Sequence, residues 1–163
     1  MRKSIVLVFS FLLVSSLVFS QASPKKILDQ KSLDKFLLDF PKMDQDASTA
    51  EVDIGGDFGD EEPDFGTESF AVQMKKTFDS LKQNPEARKV IAKYGWDNRY
   101  WDILFAISLS YTYISLEEGF AGTEMPPQLK PMFDEVKNSV HKDDVALVKK
   151  NQSKIELMFG DDD

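Results

Sequence analysis

DNRYWDILFAISLSYTYISLEE, residues 97–118, is the stretch whose reading decides the fold. Between Arg99 and Glu117 it carries one charge, Asp102. Nothing after the first 22 residues is apolar for so long. Asp97 fits an N-cap, since its side chain can accept from the free N–H groups of a first turn. Trp96 and Trp101 then have the spacing of a hydrophobic staple. Gly119 falls where a left-handed C-terminal cap usually sits. About 20 residues rising 1.5 Å each make a rod of roughly 30 Å, the width of a small domain. The rival reading is a strand, because 108–113 alternates polar and apolar residues, and Tyr, Thr and Ile favour strands. No Gly, Pro or Asn interrupts the run and no second strand pattern exists to pair with it, so a helix buried on most sides is expected. Its apolar part, 103–116, is about 14 residues, short of the roughly 20 that span a bilayer.

Shorter amphipathic patterns flank this helix. Leu33, Phe36, Leu37 and Phe40 recur at helical spacing, with Ser32 as a candidate cap, and Pro41 is expected to end or kink that helix at about Phe40. Thr67 reads as the cap of a helix whose inner face is Phe70, Met74, Phe78 and Leu81. Asn84-Pro85-Glu86 opens another, with Ala87, Val90, Ile91 and Tyr94 inward and Gly95 closing it. Leu129, Met132, Phe133, Val136 and Val140 form a further stripe. Asp143 reads as the cap of a last helix with Val145, Val148, Ile155 and Phe159 inside. The expected fold class is all-α: five or six amphipathic helices packed around the apolar helix at about 98–118, with a long acidic loop.

The chain opens with Arg2 and Lys3, an apolar run over 5–19 and then Ser20-Gln21-Ala22. These are the three parts of a secretory signal peptide. Cleavage is expected after Ala22, with Ser20 as the second choice, leaving 23–163 as a single helical domain. No cysteine is present. That removes disulfides, thiolate metal sites, cysteine nucleophiles and a lipoprotein anchor. The address expected is periplasmic or extracellular, with a bacterial envelope preferred, and no transmembrane segment in the mature chain.

Net charge is −8, and loss of Arg2 and Lys3 leaves 18 basic against 28 acidic residues. A nucleic-acid binder wants the opposite sign. Ten of the acids lie between Met43 and Ser69, where no Lys or Arg occurs, together with four of the eight glycines. Elsewhere the mature chain balances, 18 against 18. The excess charge therefore belongs to one acidic, Gly-rich loop at about 44–66.

That loop is the first candidate for function. Asp53, Asp57, Asp60, Glu62 and Asp64 offer hard oxygen ligands with bends between them, as calcium requires. The EF-hand spacing is absent, and a solvated segment of like charges is the plainer reading. A docking strip for a basic protein is the third reading, in which Phe58 and Phe65 would assist. The second candidate is the aromatic cluster Tyr94, Trp96, Tyr100 and Trp101, a sugar or peptide platform unless it is core. The third is carboxylate chemistry by Asp102 with Glu117 or Glu118. On one helix they lie about 22 Å apart, far beyond a glycosidase pair. Arg99 is the expected partner of Asp102, and Lys130 or Lys137 that of Glu117 and Glu118. His141 is the only histidine, with no nucleophile motif nearby.

No catalytic residue, cofactor loop or firm metal site emerges. The expected function is that of a secreted or periplasmic, non-enzymatic helical protein that binds, with a basic protein as the partner class. Calcium binding by 53–64 is the alternative, and a carboxylate-based extracellular hydrolase the third.

Overall fold

The computed structural model describes residues 23–55 and 69–159. The leader, the Thr67 cap and the acids at Asp57, Asp60, Glu62 and Asp64 lie outside the described residues. Within them the protein is all-helical, with seven helices and no strand. They are α1 (Gln30–Thr49), α2 (Phe70–Leu81), α3 (Pro85–Lys93), α4 (Arg99–Gly119), α5 (Lys130–Ser139), α6 (Lys142–Lys150) and α7 (Gln152–Phe159).

α1 is longer than its sequence suggests. Asp29, not Ser32, is the N-cap, and the two form a reciprocal capping box: Ser32 N–H donates to Asp29 at 2.7 Å and Asp29 N–H to the Ser32 hydroxyl at 3.2 Å. Pro41 sits inside the helix rather than ending it. Its ring removes one backbone bond, but the buried stripe Leu33, Phe36, Phe40, Met43 and Ala47 runs straight through it. Burying three further side chains beyond residue 39 outweighs the roughly 3 kcal/mol that an internal proline costs.

α3 follows the expected pattern. Asn84 accepts from the N–H groups of Glu86 and Ala87. Gly95, at φ +72°, closes the helix: its N–H reaches the Ala92 carbonyl and Trp96 N–H the Ile91 carbonyl, a Schellman pair. α4 begins two residues after Asp97, whose side chain still accepts from Arg99 N–H at 2.8 Å. Trp96 meets Tyr100 edge-to-face at 5.9 Å, and Tyr100 in turn meets Trp101. Gly119 is the last helical residue and not a left-handed cap; the positive φ, +81°, falls on Gly122. Ten residues of α4 are buried, from Tyr100 to Ile114. The helix packs on α2, α5 and α6, while α1 packs on α3 and α7.

The last helical pattern is two helices. His141, not Asp143, caps α6, and the chain breaks at Asn151, whose side-chain amide bonds the Leu147 carbonyl at 2.9 Å. Val148 and Ile155 are fully buried on either side of the break. Among the described residues no helix is long and apolar enough to cross a membrane.

Candidate functional site

Residues 23–29 form a strap without regular structure that runs into α1. It is held by a side chain from the far end of the chain. Asp144 is 2% exposed, and its two oxygens accept the N–H groups of Ile27 at 2.9 Å and Leu28 at 3.0 Å. Leu28 is fully buried beside this clamp. Asp144 stands in the first turn of α6, where the helix dipole favours a carboxylate. His141 Nδ1 accepts from Asp143 N–H at 3.1 Å. His141 thus works as a cap, and Asp144 as a backbone acceptor.

Strap, α4 and the α5–α6 turn enclose a cavity of about 230 Å³. The α4 wall is Asp102, Phe105, Ala106, Leu109 and Ser110, spaced i, i+3, i+4, i+7 and i+8 so that one helix face lines it. Pro24, Lys25 and Ile27 come from the strap, and Ser139, Val140, His141 and Asp144 from the opposite wall. A shallower cleft of about 600 Å³ shares Pro24, Phe105 and Ser139 and continues along α2 and α5. The cavity brings together two carboxylates from different helices, Asp102 and Asp144. One of them already spends both oxygens on the strap, so the pair is not a free acid–base dyad.

The two ends of the acidic segment are fixed to the fold. At the first end Ile54 is 1% exposed and its carbonyl accepts the Tyr100 hydroxyl at 3.1 Å. Burial raises the Tyr100 pKa well above its usual value. Gly55 is wedged between α2 and α4 at φ +97°. Asp53 turns the chain into that wedge by accepting Gly55 N–H at 2.6 Å. The loop expected at about 44–66 is thus shorter: residues 44–49 belong to α1, Ile54 and Gly55 are core, and one oxygen of the calcium candidate Asp53 holds a turn. At the second end Glu135 accepts the N–H groups of Phe70 and Ala71 at 3.1 and 3.2 Å. A side chain of α5 thereby caps α2, where Ser69 makes no side-chain cap bond. Among the described residues no three His, Asp or Glu side chains gather as a metal site.

The aromatic candidates are placed inward. Tyr100 and Trp101 are buried, and Trp96 is 9% exposed with its indole N–H on Asp39 at 3.1 Å. The Lys35 ammonium lies 4.3 Å from the Trp96 ring centroid, pairs with Asp39 and donates to the Tyr94 carbonyl. Tyr94 is half-buried, with its hydroxyl on Asp46 at 2.9 Å. Arg99 pairs with Asp29 at 2.9 Å and not with Asp102. Glu118 takes Lys149 and Gln152, while Glu117 accepts the Tyr113 hydroxyl at 2.7 Å; Lys130 turns to Asp134. The Glu117 bond pushes the Tyr113 pKa up to about 12.

Asp144 and Glu135 are the residues that sequence reading missed. Each looks like an ordinary surface acid on its own helix, and only the arrival of a distant backbone gives it a role. Comparison of the chain with family models, with curated proteins and with solved structures finds no match.

Proposed function

We propose that this chain is an exported, non-enzymatic binding protein, built around the 98–118 helix, that presents its acidic segment to a basic protein partner. The carrying observation is how charge is spent. In the described fold Asp29, Asp39, Asp46, Asp79, Glu86, Glu118 and Asp134 each pair with a Lys or Arg. Glu135 and Asp144 are occupied by backbone N–H groups. The six acids at Asp57, Asp60, Glu61, Glu62, Asp64 and Glu68 have no basic residue in their own stretch. They also lie between two tethered ends, Gly55 and Phe70. A tethered run of like charge steers a cationic partner and suffers little from ordering costs at its ends.

The test is to neutralise those six acids to Asn or Gln and leave 44–55 intact, because Ile54 and Gly55 belong to the core. Retention on immobilised poly-lysine should fall at least tenfold at low salt, with the unfolding midpoint unchanged. Equal retention of the two proteins would end this reading.

A further inference from the structure

We propose that the cavity beneath the strap binds a small organic ammonium ion with an apolar body, an aromatic or branched-aliphatic amine of about ten non-hydrogen atoms. The inference does not depend on the acidic segment. It starts from a hydroxyl with nothing to do. Ser110 is 1% exposed, lines the cavity, and its side chain makes no hydrogen bond with any described residue. Its hydroxyl opens onto the cavity, where a bound molecule can meet it. Asp102, on the same face of α4 two turns earlier, is exposed at the rim of the cavity and has no ion pair among the described residues, Arg99 being taken by Asp29. The two residues are eight positions apart, about 12 Å along the helix. Between them lie Phe105, Ala106 and Leu109, an apolar floor. Edge-on packing against Phe78, at 5.7 Å and 85°, fixes the Phe105 ring.

Charge selects the ligand class. The walls carry two carboxylates, Asp102 and Asp144, against one ammonium, Lys25. An organic cation is favoured over an anion, with its ammonium at Asp102 beside the Phe105 ring. Size selects within the class. About 230 Å³ exceeds the roughly 150 Å³ that holds a benzene and falls below the roughly 300 Å³ of larger ligand pockets. A distal hydroxyl on the ligand would reach Ser110.

Tyramine is the probe, with phenethylamine lacking the distal hydroxyl and 3-(4-hydroxyphenyl)propionate reversing the charge. Each is titrated into the exported protein by calorimetry, with amide NMR shifts as the map. Tyramine should bind with a dissociation constant of about 0.1–1 mM, shifting Ala106, Leu109 and Val140. The propionate should be at least tenfold weaker. Ser110→Ala should bring tyramine down to the affinity of phenethylamine, and Asp102→Asn should abolish the preference for amine over acid. Ala106→Leu fills the cavity and should abolish binding; the two milder variants decide the matter if it fails to fold. Absence of saturable shifts with tyramine at about 10 mM overturns the proposal. So does equal binding of the propionate, or indifference of tyramine to both Ser110→Ala and Asp102→Asn.

Discussion

Asp144 and Leu28 stand 116 residues apart in sequence and are joined by a buried hydrogen bond of 3.0 Å. A companion bond of 2.9 Å from Ile27 uses the other carboxylate oxygen. One side chain thus closes residues 28–144 into a loop, fastening the strap before α1 to the first turn of α6.

Removing that acceptor should be costly. Asp144→Ala leaves the buried Leu28 N–H and the half-buried Ile27 N–H without a partner, and a loss of about 2–4 kcal/mol is expected in urea unfolding. Asp143→Asn is the neighbouring control. Its pair with Lys26 spans 3.5 Å between half-exposed side chains, so a loss under about 0.5 kcal/mol is expected. Equal effects of the two would remove the clamp from the account.

Gly55 should tolerate no side chain. A Cβ there would lie 2.5 Å from Leu104 Cδ2 and 3.0 Å from Phe78 Cε1, at φ +97°. Gly122 shares a positive φ of +81° but has open space around it. Gly55→Ala should therefore cost at least about 2 kcal/mol and Gly122→Ala about 1 kcal/mol. The difference between the two melting curves isolates the clash from the backbone strain.

Alkaline pH should loosen the anchor at Ile54. The Tyr100 pKa is raised above its usual value of 10 by burial, with the charges of Asp53 and Asp44 adding to it. Tyr113 is raised to about 12 by its bond to Glu117. A raised folded value means that the protonated phenol contributes full stability below the unfolded pKa of about 10, and that this is lost as pH climbs above it. The urea midpoint should fall between about pH 10 and about 12. Tyr100→Phe should be less stable by about 1 kcal/mol at pH 7, because the Ile54 carbonyl loses its donor. It should also show a shallower alkaline decline. An identical alkaline slope in the variant would assign the loss to other tyrosines.

Pro41 should be a site for gain. It is exposed on a helix that continues through it. Pro41→Ala restores a backbone donor without touching the buried stripe, and an increase of about 1 kcal/mol or more is expected. A decrease would show that α1 is bent at this residue to fit its neighbours.

Calcium distinguishes the two readings of the acidic segment. As a docking strip it should respond to millimolar calcium and magnesium alike, by screening alone. A rise of several degrees with calcium only, reversed by EDTA, is the signature of a built site. It would replace the docking reading.

The helical class was legible because apolar residues recur with the helix period, as in Phe70, Met74, Phe78 and Leu81, and because caps such as Asn84 act within one turn. Residues within one turn of each other meet whatever the rest of the chain does, so local pattern alone determined most helices. Where a local signal faced a competing global term, the sequence misled. Pro41 did not stop α1, since the burial of Phe40, Met43 and Ala47 depends on neighbours that no local window contains. Asn151 broke one expected helix into two for want of any Gly or Pro to announce it.

The sites lay further out of reach. Asp144, Glu135, Gly55 and Ser110 take their roles from chain segments tens of residues away. A carboxylate that clamps a strap and one that lies in solvent read identically in sequence. The concentration of charge in 44–66 and the apolar run of α4 are properties of composition, and the sequence determined them by itself. Which acids are spent inside, and which face of α4 is left open beneath the strap, only tertiary packing decided. Desolvation and hydrogen-bond partnership are properties of a place in space and not of a residue type.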